Sequence, residues 1–329
     1  MQMRILVTGG AGFIGSNFVH QVLKAHSGYE ITVLDKLTYA GRRENLQDIW
    51  DKITFIQGDI TKKEDVEKTT RDCDCIVNFA AETHVDRSIL DAGTFVLTDV
   101  LGVYNLLEAA RKFNVQKFVQ ISTDEVYGDI LTGAFKESDR LNPRNPYSAS
   151  KAGAELLCRA YFETYGLFVT VTRSSNNYGP NQHPEKLIPK TIIHALLNKP
   201  IPVYGTGKNI RDWIYVEDNC EAIDCVLEEG KSGEIYNVAG NQELENLQVV
   251  KSILKLAGKP ESLITYVKDR LGHDLRYSVN AEKLWKIGWK PRTNFDVGIK
   301  KTLEWYRENV EWWKPIIEKE QINFHQGYT

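Results

Sequence analysis

The residue types best suited to proton chemistry are concentrated in one stretch, ISTDEVYG followed after a loop by NPYSASK. The first motif carries a hydroxyl, Thr123, and two adjacent carboxylates, Asp124 and Glu125. The second motif places Tyr147 four residues before Lys151. A phenolate can take a proton from an alcohol, and a pair of carboxyl groups can divide proton uptake from proton donation. The stretch therefore predicts acid–base chemistry on a hydroxylated substrate.

Two predicted elements position these groups. The apolar run KFVQIS indicates a strand, so the hydroxyl and the carboxylates follow its carboxyl end, which is the edge where open parallel sheets bind ligands. Asn145 suits an N-cap and Pro146 suits a first helical turn, so a helix is expected to begin here. Tyr147 and Lys151 then share one helix face. A neighbouring ammonium favours the phenolate, so we expect Lys151 to lower the pKa of Tyr147.

The adjacent carboxylates suggest different protonation states. To act as an acid at neutral pH, Asp124 must remain protonated, although an unperturbed aspartate has a pKa of about 3.9. Burial or the charge of Glu125 would raise it, because interacting carboxyls titrate apart.

A glycine-rich turn opens the chain. The β-rich run at residues 4–8 leads into GGAGFIGSNFVHQVL, in which Gly9, Gly12 and Gly15 precede an amphipathic helical pattern. In this context the backbone N–H groups and a helix N-terminus can meet a pyrophosphate. We therefore expect a dinucleotide-binding turn.

The second strand, EITVLD, ends at Asp35. A carboxylate at this position binds the adenosine ribose hydroxyls and disfavours a 2′-phosphate, which indicates NAD. Lys36, Arg42 and Arg43 follow closely and leave NADP as an alternative. We favour NAD.

Strand and helix patterns continue to alternate, with helices expected at 63–71, 93–113 and 147–164. This order predicts an α/β fold, a Rossmann-type doubly wound parallel sheet. Regular alternation stops near residue 175, and GEIYNVAG at 233–240 is expected to return to the first sheet. We thus expect a discontinuous cofactor domain of 1–175 plus about 212–240, and a smaller α/β domain of 176–211 plus 241–329.

Composition narrows the class of protein. The 329 residues carry a formal net charge of −3, which gives no indication of nucleic-acid binding. No apolar run has the length of a signal peptide or of the roughly 20 residues that a membrane span needs. The five cysteines form an odd, scattered set without a zinc-site pattern, so we expect reduced thiols, a cytoplasmic location and no metal.

Several motifs together point to a family. TGGAGFIG and the Tyr147–Lys151 pair resemble those of the extended short-chain dehydrogenase/reductases. NFAAETHVDRS, STDEVYG, SSNNYGP, PEKLIP and DRLGHDLRY resemble the dTDP-glucose 4,6-dehydratases over almost the whole chain. The resemblance implies NAD-dependent dehydration of a nucleotide-linked hexose, with Lys151 also holding the nicotinamide ribose.

The resemblance also implies a role for each reactive group. Tyr147 would take the C4 hydroxyl proton as C4 is oxidised, and Thr123 would hydrogen-bond the C4 oxygen. Glu125 would remove the C5 proton, now acidified by the ketone, and Asp124 would protonate the departing C6 hydroxyl. The hydride would return to C6, leaving a 4-keto-6-deoxy sugar.

Position and resemblance together nominate the binding residues. The expected cofactor contacts are Gly9, Gly12, Phe13, Ile14, Gly15, Asp35, Lys36, Thr38, Asp59, Ile60, Ala80, Ala81, Thr98, Tyr147, Lys151 and Asn177. The expected substrate contacts are His84, Thr123, Asn176, Glu185, Lys186, Leu187, Pro202, Tyr204, Arg211, Asn246, Arg270, His273 and Asp274. The sequence departs from the family pattern at Leu271, where proline is expected, and at Leu275, where arginine is expected.

Three rival functions remain open. A UDP-glucose 4,6-dehydratase would differ only in the base. A sugar-nucleotide C4-epimerase would use Tyr147 and Lys151 but would need no acid and base at C5–C6, so Asp124 and Glu125 discriminate against it. A non-catalytic NAD sensor would need neither pair. Members of the resembled superfamily commonly pair through helices, so we expect a homodimer formed through 93–113 and 147–164.

Overall fold

The computed structural model describes residues 3–269 and 273–319. Its strands and helices alternate along most of the first half of the chain. The strands are β1 (Met3–Thr8), β2 (Tyr29–Asp35), β3 (Ile53–Gln57), β4 (Cys75–Asn78), β5 (Lys117–Thr123), β6 (Val169–Ser174), β7 (Asn176–Tyr178), β8 (Ile201–Tyr204), β9 (Ile210–Tyr215), β10 (Ile235–Val238), β11 (Glu243–Glu245) and β12 (Ile264–Val267). The helices are α1 (Phe13–Ala25), α2 (Lys63–Thr70), α3 (Val85–Leu90), α4 (Ala92–Phe95), α5 (Gly102–Lys112), α6 (Pro146–Tyr165), α7 (Leu187–Leu196), α8 (Val216–Glu229), α9 (Asn246–Ala257), α10 (Glu282–Trp285), α11 (Phe295–Glu308) and α12 (Val310–Lys319).

A seven-stranded parallel sheet organises the larger lobe, in the order β10-β6-β5-β4-β1-β2-β3. Helices cover both faces, and the strands are accordingly buried on both sides, as all-parallel sheets require. Phe18 and Ile223 belong to the core on one face, and Leu106 and Phe118 to the core on the other. The predicted doubly wound Rossmann-type fold is confirmed.

The predicted return of the chain to this sheet is also observed, because β10 pairs with β6 in parallel. The predicted re-entry at about 212 falls inside β9, and β9 belongs to a separate three-stranded sheet of order β11-β9-β7. The chain therefore rejoins the larger lobe at α8, which packs against α1.

Helix α6 carries the tyrosine–lysine pair and begins as the sequence predicts. The side chain of Asn145 accepts a hydrogen bond from the Ser148 amide, Ser148 completes a capping box, and Pro146 occupies the first turn. Gly166 ends the helix in the left-handed region, with φ of 66°. The helix spans one residue more at each end than the predicted 147–164.

The helical stretch predicted at 93–113 is less regular than expected. The segment Val96–Leu101 between α4 and α5 is π-helical. Such segments widen the turn and often occur at functional sites. This one contains Thr98 and Asp99, and it packs against α6.

The smaller lobe is built around the three-stranded sheet, a two-stranded sheet of β12 and β8, and the helices α7, α9 and α11. Its core contains a stripe of the last two helices, with Leu303, Tyr306 and Trp313 buried and Val310 packed against them.

No helix within residues 3–269 and 273–319 is long and apolar enough to cross a bilayer. All five cysteines are free thiols. Within the same residues, no cluster of three or more His, Cys, Asp or Glu side chains has the geometry to hold a metal ion.

Candidate active site

A cleft of ≈ 470 Å³ runs along the carboxyl ends of the parallel strands and continues beneath the smaller lobe. It is lined by the glycine turn, by the ends of β2, β4, β5 and β6, and by residues of α6, α7 and β8. With two exceptions, every predicted site residue lines this cleft. The exceptions are Asp274, which lies elsewhere, and Arg270, which falls outside the described residues.

The glycine turn leaves no room for side chains at two positions. A Cβ on Gly9, whose φ is 69°, would lie 2.5 Å from the main-chain nitrogen of Ala80. A Cβ on Gly15 would lie 2.3 Å from the carbonyl oxygen of Gly9. The turn therefore packs backbone to backbone and presents the N-terminus of α1 at Phe13 and Ile14 to the cleft. This cradle suits the pyrophosphate of a dinucleotide.

The carboxylate of Asp35 organises the same turn. Its Oδ2 accepts a hydrogen bond from the Ala11 amide at 2.9 Å, and its Oδ1 accepts one from the Leu37 amide at 2.8 Å. Burial raises the pKa of Asp35 against the lowering effect of these two amides. Each oxygen retains a lone pair for a ribose hydroxyl, so this side chain fits the adenosine of NAD.

The three cations that left NADP open are all engaged. Lys36 Nζ lies 2.8 Å from Asp59 Oδ2. Arg42 contacts Glu44 at 3.1 Å, and Arg43 donates to Gln57 at 3.2 Å. Because each of these cations is held by a neighbouring side chain, their presence does not argue for a 2′-phosphate, and NAD remains the preferred cofactor.

Further cofactor candidates also line the cleft: Thr38, Asp59, Ile60, Ala80, Ala81 and Thr98. Burial acts to raise the pKa of Asp59, but the Lys36 ammonium and the Thr61 amide lower it overall. This carboxylate is therefore ionised. Ala80 lies against Gly9, so its small side chain serves close packing and approach to the cleft at once.

The end of β5 brings the three predicted proton-handling groups into the cleft. Thr123 Oγ1 accepts a hydrogen bond from the Glu125 amide at 3.2 Å and donates one to Asp124 Oδ1 at 3.3 Å. Asn145 Nδ2 donates to Glu125 Oε2 at 3.4 Å. The threonine hydroxyl thus holds the Asp124 carboxyl group and fixes the turn that follows the strand.

Asp124 is 2% exposed, and its Oδ2 has no hydrogen-bond partner within the described residues. Burial raises its pKa well above the usual value, and the charges of Glu125 and Asp212 add to the effect. The carboxyl group is therefore biased toward its protonated form, as a general acid requires. Burial and the charge of Glu125, the two causes expected from the sequence, both act.

Tyr147 and Lys151 line the cleft from α6. The expected lowering of the Tyr147 pKa is wrong for this arrangement, because burial, Glu125 and Asp99 raise it well above the usual value. A hydrogen bond with Thr123 acts in the opposite direction. Lys151 Nζ instead donates to the main-chain carbonyl of Ile121 at 2.7 Å. Sequence spacing revealed the pair but not the buried carboxylate of Asp99 beside it.

His84 caps α3 and lies beside Glu185. Burial lowers the pKa of His84 to about 3, and the nearby Lys186 ammonium contributes. The imidazole is therefore neutral at physiological pH, which agrees with its prediction as a binding residue. Lys186 Nζ donates to the Thr83 carbonyl at 2.8 Å, and Leu187 begins α7 beside it.

Glu185 sits at a junction of the two lobes. Arg87 Nε donates to its Oε2 at 3.3 Å. Burial acts to raise the pKa of Glu185, but the charges of Lys186 and Arg87 help to lower it overall. The residue therefore presents an ionised carboxylate to the cleft.

The predicted nucleotide end of the cleft contains Pro202 and Tyr204 on β8. The Tyr204 ring meets the His273 ring edge-on at 6.3 Å, and His273 Nδ1 lies 2.6 Å from Asp269 Oδ1. Asn246, the first residue of α9, also lines this end. These groups offer an apolar face flanked by polar edges, as a nucleoside needs.

Arg211 is buried and held by carbonyl groups rather than by an acid. Its Nη2 donates to the Asp274 carbonyl at 2.9 Å, its Nη1 to the Ile210 carbonyl at 2.8 Å, and its guanidinium lies 4.2 Å from the Tyr277 ring centroid. The neighbouring Asp212 accepts from the Gly240 and Gln242 amides instead. The positive charge of Arg211 therefore remains directed at the cleft.

The expected ligand role of Asp274 needs correction. Asp274 is 1% exposed, its Oδ1 accepts from Arg144 at 2.8 Å, and its Oδ2 accepts from the Tyr277 hydroxyl. Because both oxygens are engaged away from the cleft, Asp274 positions Arg211 through its main chain. Leu275 also binds Arg211 through its carbonyl, and its side chain is exposed. The predicted contact at Arg270 and the departure at Leu271 lie outside the described residues.

Asn176 and Asn177 follow β6 and line the middle of the cleft. Asn177 Nδ2 donates to the Ser175 carbonyl at 3.0 Å, whereas the Oδ1 atoms of both asparagines are buried without a partner within the described residues. Buried acceptors of this kind favour a ligand that carries N–H or O–H donors. A carboxamide and a sugar both meet this requirement.

Sequence reasoning missed four residues that line or support the cleft, namely Tyr39, Arg87, Lys190 and Asp99. Tyr39 stacks under the Arg87 guanidinium at 3.7 Å from the ring centroid, which joins the cofactor loop to Glu185. Lys190 places a second cation one turn after Lys186. Asp99 lies behind the Tyr147–Lys151 pair. Only the spacing of Lys190 from Lys186 on one helix face was a signal in the sequence.

The chain is similar to known proteins over most of its length. The family model described as GDP-mannose 4,6 dehydratase matches residues 6–302. The low-salt glycan biosynthesis protein Agl12 of Haloferax volcanii is 52% identical over 306 residues, covering 92% of this chain and 98% of that protein. A dTDP-glucose 4,6-dehydratase of Streptomyces niveus is 48% identical over 332 residues, covering 99% of each chain.

A solved structure is similarly close. The crystal structure of DesIV, a dTDP-glucose 4,6-dehydratase from Streptomyces venezuelae with NAD bound, superposes with a TM-score of 0.94 at 47% identity. The match covers 95% of this chain and 100% of that one.

Proposed function

The chain belongs to the family described as GDP-mannose 4,6 dehydratase, and we propose that it is an NAD-dependent hydro-lyase that converts dTDP-glucose to dTDP-4-keto-6-deoxyglucose. The observation that carries this function is the Asp124–Glu125 pair at the end of β5, in the same cleft as Tyr147 and Lys151. The first pair suits elimination of water, and the second suits oxidation of an alcohol.

Each step has a matching group in the cleft. Tyr147 takes the proton of the C4 hydroxyl, with Thr123 hydrogen-bonded to the same oxygen. NAD, when bound, supplies the acceptor for the C4 hydride and the donor that returns it to C6. Glu125 removes the C5 proton, which the C4 ketone has acidified. Asp124 gives its proton to the departing C6 hydroxyl, and Glu125 later returns a proton to C5.

The electrostatics of the pair support this division of roles. Asp124 is buried and biased toward its neutral form, whereas Glu125 is less buried and lies beside the donor Asn145. Two adjacent carboxyls in unlike environments separate into an acid and a base. This asymmetry disfavours a C4-epimerase, which needs no proton transfer at C5 or at the C6 hydroxyl.

We also propose a ligand group for each set of residues that lines the cleft. We assign the dinucleotide to the glycine turn, to Asp35 and to the other cofactor candidates that line the cleft. The sugar is assigned to Asn176, Glu185 and Lys186. The diphosphate goes to Arg211 and the nucleobase to Pro202 and Tyr204. The glycine cradle and the cleft-facing cation support these assignments.

The decisive assay offers the purified protein dTDP-glucose and, separately, UDP-glucose. Loss of one water from the dTDP sugar, followed by mass spectrometry, is the expected result. Equal turnover of the UDP sugar would assign the enzyme to both bases. Conversion to the galactose isomer without water loss would mean an epimerase, and NAD binding without any conversion would mean a sensor.

We further propose a homodimer, a two-domain division as predicted apart from the re-entry at α8, and a cytoplasmic location. Large apolar side chains are exposed along the helical stretch before α6 and on α6 itself. They are Leu90, Val96, Leu97, Leu101, Tyr104 and Leu156. A second copy of this chain would bury such a face. Light scattering should give twice the monomer mass, and Leu97→Asp with Leu156→Asp should give a monomer.

A further inference from the structure

A buried carboxylate lies behind the tyrosine–lysine pair. Asp99 is 1% exposed and belongs to the π-helical segment Val96–Leu101. Its Oδ2 accepts a hydrogen bond from Ser150 Oγ at 2.6 Å, and its Oδ1 accepts one from the Glu82 amide at 3.0 Å. Both oxygens are thus fixed, and neither hydrogen bond neutralises the charge.

Lys151 needs an opposite charge. It is 4% exposed, its ammonium donates a hydrogen bond to the neutral carbonyl of Ile121, and burial lowers its pKa. The carboxylates that favour its charged form are Asp99 and, with a smaller effect, Glu155. A lysine side chain that loses its proton has no positive charge to stabilise a phenolate. It also no longer has the three N–H donors that fix its orientation.

Of these groups, Glu155 already has a partner. Arg173 Nε donates to its two oxygens at 3.2 and 2.9 Å, and both side chains are 3% exposed. The charge of Glu155 is therefore largely neutralised by Arg173. The pairing offsets the free-energy cost of burying a carboxylate and a guanidinium. Burial raises the pKa of Asp99, and against this act Lys151, which is the cation facing it among the described residues, and the hydrogen bonds from Ser150 and Glu82.

We propose that Asp99 is a positioning residue for the dehydratase reaction, the buried counter-ion that keeps the Lys151 ammonium charged between α6 and the end of β5. This inference rests on the proposed function. Asp99 acts through space rather than by direct contact, because the Lys151 ammonium donates its hydrogen bond to Ile121. The π-helical turn places the carboxylate against α6.

The same carboxylate also faces Tyr147, whose other acidic neighbours are Glu125 and Asp124. Removing the charge of Asp99 has two consequences of the same sign. The Lys151 ammonium loses its proton at a lower pH, and the Tyr147 phenol ionises at a lower pH. Both the acid limb and the alkaline limb of the pH–rate profile for C4 oxidation should therefore shift to lower pH.

Asp99→Asn tests the charge alone, since the amide keeps an acceptor for Glu82 N and a polar group for Ser150. Single-turnover oxidation of dTDP-glucose can be followed by the absorbance of reduced nicotinamide across a range of pH. Both limbs of the pH–rate profile of Asp99→Asn should lie about one pH unit below those of the wild type. Asp91→Asn is the matched control, because Asp91 is an exposed helix cap that asparagine also fills. Superimposable Asp99→Asn and wild-type profiles would overturn the proposal.

A second measurement does not depend on catalysis. In a thermal-unfolding cycle of Asp99→Asn, Lys151→Met and the double variant, each single change leaves a buried charge uncompensated. The double variant should unfold above the temperature that the summed single shifts predict, or should restore folded protein if Asp99→Asn alone does not fold. Additive shifts would overturn the charge pair while leaving the proposed reaction intact.

Discussion

Lys151 Nζ donates a 2.7 Å hydrogen bond to the main-chain carbonyl of Ile121, two residues before Thr123 on the same strand. This bond ties α6 to β5. The tyrosine–lysine pair and the carboxylate pair therefore belong to one packed unit, although their positions differ by 22 to 27 along the chain. Rigid support of this kind is what a multi-step site needs.

Glu125→Gln should permit C4 oxidation and block elimination, because the amide cannot take the C5 proton. Reduced nicotinamide should accumulate when dTDP-glucose is added, as followed by absorbance. Glu163→Gln, an exposed change on α6, should behave as wild type. Formation of product by Glu125→Gln at the wild-type rate would remove Glu125 from its role as C5 base.

Tyr147→Phe should abolish formation of reduced nicotinamide while preserving the fold, because the ring and its edge-on contact with Phe95 remain. Loss of a general base typically slows the step about 10²–10⁴-fold. Binding of NAD, measured by calorimetry, should change little. Rapid oxidation by this variant would exclude Tyr147 as the base.

Asp124→Asn should slow elimination and also change how stability depends on pH. A folded-state pKa raised by burial gives stability that is present below the unfolded pKa and is lost as pH rises through the folded pKa. Asparagine cannot ionise and escapes this loss. The melting temperature of Asp124→Asn minus that of wild type should therefore increase with pH, and a pH-independent difference would show that Asp124 has an ordinary pKa.

Gly15→Ala should abolish NAD binding and destabilise the protein, because its Cβ would lie 2.3 Å from the Gly9 carbonyl and 2.9 Å from Gly10 Cα. These are backbone atoms that cannot rotate away. Gly93→Ala is the matched helical control, since its nearest contact is an ordinary 3.5 Å from Asp91 Oδ1. Equal NAD affinity in the two variants would contradict the cradle.

Sequence reasoning predicted local and periodic features well. The capping residues Asn145 and Pro146 place the start of α6 correctly, because caps are set by neighbours in sequence. The alternation of strands and helices predicts the parallel sheet for the same reason. The assembly of a cleft from strand ends follows from that topology.

Features that depend on contacts between distant segments were missed. The sign of the Tyr147 pKa shift depends on burial and on Asp99, which no spacing rule connects to α6. Asp274 lies in a motif that resembles a ligand set, yet Arg144 and Tyr277 hold its carboxylate. Both cases depend on which groups meet after folding.

The most direct test of the central claim uses dTDP-glucose carrying deuterium at C4, with NAD-loaded enzyme in ordinary water. Internal oxidation, elimination and hydride return predict a product with that deuterium in the C6 methyl group, as read by NMR and mass spectrometry. Deuterium still at C4 of an isomerised hexose that has lost no water would contradict the account and indicate an epimerase.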